Sequence, residues 1–136
     1  MPKPKPHACH GFALRIVGFP GETMINHRTP GRAKADFHRS VNESGDVPFT
    51  AIRIRVLRGP YDTDSLRRVR HSRGRPELRP GVRVRVNDVG LGVVVDGNYS
   101  GNFDVLFDDD AAAHAGLVLN VHPGDIKLAE VEAAAP

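Results

Sequence analysis

Residues 53–85 hold 11 arginines against three acidic side chains. Arg suits phosphate because its planar fork makes two parallel charge-assisted hydrogen bonds. Arg67, Arg68, Arg70, Arg73, Arg75 and Arg79 fall on a short basic segment, and Arg53, Arg55, Arg83 and Arg85 alternate with apolar residues on two strands. These ten are the candidate nucleic-acid-binding residues, and DNA or RNA is the partner their chemistry fits, with affinity that falls as salt rises. Within the segment, Arg73-Gly74-Arg75-Pro76 resembles the core of an AT-hook, an extended element that lies in a narrow minor groove.

Other chemistry is sparse. His7-Ala8-Cys9-His10 places three soft metal ligands in four residues, but no second ligand pair follows, so no metal site is expected. Asp108-Asp109-Asp110 lacks the spacing of a calcium loop and reads as a solvated turn. The chain has no GxSxG, HExxH, GxxxxGK[ST] or GxGxxG motif. His114 and His122 lie near Asp residues without assembling a nucleophile and an oriented base. The expectation is a non-enzymatic binding protein with no catalytic residue, no cofactor and no small-molecule substrate.

The net charge of +3 over 136 residues conceals a polarity. Residues 1–52 carry net +3, residues 53–85 net +8, and residues 86–136 net −8, with Lys127 their one cation. A basic middle and an acidic end suggest two uses. The basic part could meet nucleic acid. Alternatively, the basic surface of one copy could meet the acidic surface of the next, as in a structural or assembly protein that forms a homo-oligomer. A peptide-binding adaptor is a third reading, resting on fold alone. One cysteine excludes an internal disulfide and favours a reducing compartment. No apolar run approaches the ~20 residues that span a bilayer, so no membrane partner is expected and the location reads as cytoplasmic, or virion-associated for a structural protein.

The elements that must position these residues follow from periodicity. Residues 1–11 read as an arm. Residues 12–59 read as a ββαβ unit. Phe12 to Phe19 is a strand, Pro20-Gly21 the centre of a turn, and Thr23-Met24-Ile25 the returning strand. A helix starts at Thr29-Pro30, presents Ala33, Phe37 and Val41 on one stripe, and stops at Gly45. Phe49 to Leu57 is a strand with Ile52, Ile54 and Val56 inward and Arg53 and Arg55 outward. Residues 60–79 read as a basic helix, capped by Asp62 or Thr63, and a linker; Leu66 and Val69 give it only a thin apolar edge. Residues 80–130 read as four or five short strands separated by turns, with Phe103, Val105 and Phe107 at core parity, and 131–136 as a tail.

Residues 80–128 resemble SH3-like barrels of the KOW and Tudor type. The resemblance lies in Pro80-Gly81-Val82-Arg83-Val84, Gly90-Leu91-Gly92-Val93-Val94, Phe103-Asp104-Val105-Leu106-Phe107-Asp108 and Val121-His122-Pro123-Gly124-Asp125-Ile126. It implies a fold, not a ligand, since such barrels bind RNA, DNA, peptides and modified side chains alike. Tyr99, Phe103 and Phe107 do not make an aromatic cage, because both Phe residues sit at core parity. Residues Thr29-Pro30-Gly31-Arg32-Ala33-Lys34 and Phe49, Ile52, Ile54 and Val56 give the first half a resemblance to small bacteriophage-encoded proteins of unassigned function. That implies a phage origin and a phage protein as an alternative partner. The expected fold class is α+β: an N-terminal ββαβ(α) unit packed on or linked to a C-terminal SH3-like small β-barrel.

Overall fold

The structure is a computed structural model and describes residues 9–129. It is a mixed α and β fold with two helices and two antiparallel sheets among those residues. The expected arm at 1–11 differs at its end: His10 and Gly11 already belong to β1 (His10–Ile16). Residues 1–8 and the tail at 131–136 lie outside the described residues.

The small sheet has the order β2-β1-β3, with β2 at Thr23–His27 and β3 at Ile52–Val56. Alternation along β1 sends Phe12 and Leu14 to the core and Arg15 to solvent. The connection bends at Pro20-Gly21, where Gly21 has the expected positive φ of 94°, and also earlier, at Gly18. The Phe19 N–H donates to the Ile16 carbonyl at 3.0 Å, with Gly18 at φ 88° between them. Val17 also donates to the Ala51 carbonyl at 2.9 Å, which carries the pairing with β3 one residue further and leaves Gly18 to turn the chain.

Helix α1 (Pro30–Val41) covers the inner face of this sheet with Ala33 and Phe37. The Thr29 hydroxyl accepts from the Arg32 N–H at 3.2 Å, the expected N-cap. The helix ends at Asn42, not Gly45. The Asn42 side chain accepts from the Val47 N–H at 2.9 Å and so ties the helix end to the next loop, while Gly45 turns that loop. Buried His27 joins β2 to α1: its Nδ1 accepts from the Arg28 N–H at 2.8 Å and its Nε2 faces Asp36 Oδ2 at 3.1 Å. This contact holds the Asp36 carboxyl below its usual range, with Arg39 helping and burial opposing. Strand β3 is shorter than expected because Phe49–Ala51 forms a 3₁₀ turn; Val56 keeps the parity of Ile52 and Ile54, opposite Phe12, but is exposed.

The large sheet runs β7-β6-β5-β4-β8: β4 at Arg83–Val86, β5 at Gly90–Gly97, β6 at Phe103–Phe107, β7 at Val118–Val121 and β8 at Ile126–Leu128. A 3₁₀ turn at Pro123–Asp125 leads into β8, which returns beside β4. Among the described residues no ladder joins β7 to β8. Helix α2 (Asp64–Arg73), capped by Thr63 and ended by Gly74 at φ 64°, closes one side. Its two apolar residues anchor it firmly. Leu66 and Val69 enter one core with Leu78, Val84, Val94, Phe103, Val105 and Phe107. Gly97 allows this approach, since a Cβ there would stand 2.6 Å from the Ser65 carbonyl oxygen. The stretch expected as a linker is thus part of the large sheet's core through Leu78.

The other face of β5 and β6 is also covered. Val93, Val95 and Leu106 are buried there against Cys9 and Val118. The two sheets are joined by buried Asn26. Its amide donates to the Tyr61 carbonyl at 2.7 Å and the Val95 carbonyl at 2.8 Å, and its Oδ1 accepts from the Tyr61 N–H at 2.7 Å. Gly11 lies beneath the same crossing: a Cβ there would stand 2.3 Å from the Gly59 carbonyl oxygen. Asn26→Ala leaves three backbone groups at this crossing without their partner and is expected to cost about 3 kcal/mol or more. Chemical denaturation read by circular dichroism checks this; a loss under about 1 kcal/mol would show that water replaces the amide.

Candidate nucleic-acid interface

Most of the ten sequence-predicted arginines are occupied within the fold. Arg70 is half-buried, and its fork meets both Asp62 oxygens at 2.6 and 2.9 Å. That bond holds the Asp62 carboxyl below its usual range, with burial opposing. Arg67 pairs with Asp64 one turn back along α2. Arg75 donates to Glu77 at 2.7 Å and to the Pro123 and Ile126 carbonyls at 2.7 and 2.9 Å, fastening the segment after α2 to the 3₁₀ turn before β8. Arg73 donates to the Gly101 carbonyl at 2.7 Å. Arg83 forks onto buried Asp108, with one bond at 2.8 Å. The AT-hook resemblance therefore fails in three dimensions: Arg73 ends a helix, Gly74 is left-handed, and Arg75 is held against the large sheet.

Arg68, Arg79 and Arg85 are exposed. Arg68 lies close enough to Asp96, and Arg79 to Asp62, to favour the ionised carboxylates. Arg85 stands opposite Lys127 across the β4–β8 ladder. These three are on the large-sheet half and do not join Arg53 and Arg55.

Arg53 and Arg55 sit on the outer face of the small sheet with Arg15, a residue the sequence reading missed. Arg15 is directly opposite Arg53, and Ala13 opposite Arg55. The alternation Phe12-Ala13-Leu14-Arg15 put Arg15 on a polar face, but nothing local revealed that β3 would be its neighbour. These side chains, with Glu22 and Ile54, line a shallow depression of about 290 Å³. Arg55 forks onto Glu22 at 2.9 and 2.7 Å, which holds the Glu22 carboxyl below its usual range. Arg53 donates to the Thr50 carbonyl at 2.7 Å. At the same end of the sheet, Val17, Phe19 and Phe49 are exposed, and Lys34 Nζ lies 4.5 Å from the Phe49 ring centroid.

A second depression, of about 280 Å³, lies between the first turn of α2 and the β5–β6 hairpin, lined by Ser65, Arg68, Asp96, Gly97, Asn98, Tyr99 and Asp104. Asp96 and Asp104 are opposite each other next to a β-bulge. Burial pushes both carboxyls above their usual range. The Thr63 hydroxyl and Gly97 N–H oppose this at Asp96, the Asn98 amide opposes it at Asp104, and the Asp96 charge adds to it at Asp104. Among the described residues no group of three or more His, Cys, Asp or Glu is placed to hold a metal. His7 lies outside the described residues, Cys9 is packed in a core with its thiol pushed up to about 11 by burial, and His10 is exposed beside Phe12. The side chains of Asp109 and Asp110 also lie outside the described residues.

No family model, no curated protein and no solved structure matches the chain. No helix among the described residues is long and apolar enough to cross a membrane.

The raised carboxyls set a pH dependence. The folded chain holds the Asp104 proton to higher pH than the unfolded chain does, so this group's contribution to stability falls as pH rises through that interval. Asp104→Asn keeps the acceptor for the Asn98 amide and removes the buried charge. It is expected to raise the melting temperature at pH 7 more than at pH 4. An equal change at both values would show that Asp104 carries no such penalty.

Proposed function

We propose that the protein is a non-enzymatic nucleic-acid-binding module that meets phosphates with the outer face of its small sheet. The observation that carries this is the gathering of three arginines in one depression, with Arg15 directly opposite Arg53 and Arg55 diagonal to them. Like charges directly opposite on a sheet destabilise it by roughly 0.2–1 kcal/mol, and a bound phosphate would reverse the sign. Glu22 engages Arg55 and lies close enough to Arg15 to feel its charge; among the described residues neither Arg15 nor Arg53 makes a hydrogen bond with a carboxylate. The interface thus keeps Arg53 and Arg55 from the sequence reading and adds Arg15; Arg70, Arg75 and Arg83 fasten the fold, and exposed Arg67 and Arg73 lie on α2, away from this depression.

The large sheet is read as an open SH3-like barrel, supported by the meander β4 to β7, the 3₁₀ turn at Pro123–Asp125 and the return of β8 beside β4. In this reading it is a platform. Its exposed Arg68 lines a depression that also holds Asp96 and Asp104, and its Arg85 faces Lys127 across the β4–β8 ladder with no third cation in that register.

Arg15→Glu/Arg53→Glu is expected to weaken binding of a labelled oligonucleotide at low salt by about tenfold or more, because each reversal replaces a phosphate contact with a repulsion. Arg79→Glu/Arg85→Glu makes the same change in net charge and is expected to stay within about twofold of the parent. Equal losses would reduce the effect to net charge, and a loss confined to the second variant would move the interface to the large sheet. Glu22→Gln releases Arg55 and is expected to tighten binding; weaker binding would show that Glu22 positions Arg55 for the ligand.

A further inference from the structure

Phe19 is 65% exposed just past the β1–β2 turn, where it buries little within the chain. Phe49 is 45% exposed on the neighbouring 3₁₀ turn. Two bonds bring the backbone of the β1–β2 connection and of this 3₁₀ turn to the end of the small sheet that carries Arg15 and Arg53. The Val17 N–H reaches the Ala51 carbonyl at 2.9 Å, and the Arg53 guanidinium reaches the Thr50 carbonyl at 2.7 Å. Exposed Phe19 and the cations Arg15 and Arg53 therefore lie at one end of the small sheet, while the Phe49 ring is turned to α1, edge-on to His38 at 5.4 Å and beside Lys34.

The two features together select among nucleic acids. In a duplex the base faces are stacked inside, and a projecting ring meets sugar and phosphate. In a single strand the bases are free to stack on an aromatic side chain. Arg53 and Arg55 are alternate residues of one strand, about 6.7 Å apart along it from the strand rise, and so can follow an extended backbone. Resting on the phosphate-binding reading above, we propose that the ligand is single-stranded nucleic acid. Its phosphates run over Arg15 and Arg53 and an unpaired base stacks on Phe19 at the hairpin tip. Sequence preference is weak in this arrangement, because every base has a face to stack.

The test is a fluorescence-anisotropy titration of a labelled single-stranded oligonucleotide and of its duplex, with the full chain and its variants. Phe19→Ala is expected to weaken single-strand binding by about fivefold or more, with duplex binding and the salt dependence unchanged. Phe19→Tyr is expected to restore the single-strand affinity, since a phenol stacks as a phenyl does. If Phe19→Ala binds the single strand like the parent while Arg15→Glu/Arg53→Glu loses binding, the stacking proposal is overturned and the phosphate reading stands. Equal losses on single strand and duplex overturn it as well. If the parent binds neither oligonucleotide, the phosphate reading itself falls; co-sedimentation with anionic lipid vesicles under those conditions would assign the aromatic tip to a membrane surface instead.

Discussion

One amide side chain holds the two halves of this molecule in register. Asn26 is buried near the end of β2, where the small sheet, the connector at Tyr61 and strand β5 meet, and its side chain makes two short hydrogen bonds to Tyr61 and one to Val95 of β5. Tyr61 and Val95 take no part in the strand registers of either sheet, so without the amide these backbone groups would lose their partner. Gly11 gives the crossing its room, because any side chain there would run into the Gly59 carbonyl. The consequence reaches the surface. With the Asn26 end of the small sheet pressed against β5, the opposite end is free to present Arg15, Arg53 and the hairpin tip.

The same economy explains the arginines. A chain with 11 arginines in residues 53–85 looks like a continuous positive surface, but the fold uses many of them as fasteners. Arg70 on Asp62, Arg75 on the Pro123 and Ile126 carbonyls and Arg83 on Asp108 each lock an irregular segment to a regular one. The guanidinium fork is suited to this, because it satisfies two acceptors at once with little further loss of side-chain freedom. Removing one partner would leave a charge or a carbonyl without compensation in a partly buried place. Arginines held in this way are poor phosphate ligands, since nucleic acid would have to displace a bond already made. This shifts the open positive chemistry toward the small sheet, where Arg15, Arg53 and Arg55 share one depression with the single carboxylate Glu22.

What could be read from sequence followed the range of the interactions involved. Thr29-Pro30 and Thr63 were legible as helix starts because a cap acts on a backbone group three residues away. Phe103 and Phe107 were legible as core because strand parity is local. The bend at Gly18 was not legible because it depends on Val17 bonding to Ala51, nor was the end of α1, because Asn42 reaches Val47. Leu106 sits at solvent parity yet is buried, since the large sheet is covered on both faces. The site suffered most. Arg83 and Asp108 are 25 positions apart, and Arg75 and Pro123 are 48 apart, so composition alone could not tell a fastened guanidinium from a free one. Arg15 entered the site only through the β1–β3 register.

The account is tested most directly by mapping backbone amide chemical shifts in NMR spectra while a short single-stranded oligonucleotide is added at low salt. The account predicts that the shifts move along residues 13–22 and 49–56, at the outer face and tip of the small sheet, while α2 and residues 74–79 stay still. Movement centred on residues 64–79, or no movement at saturating oligonucleotide, would contradict it.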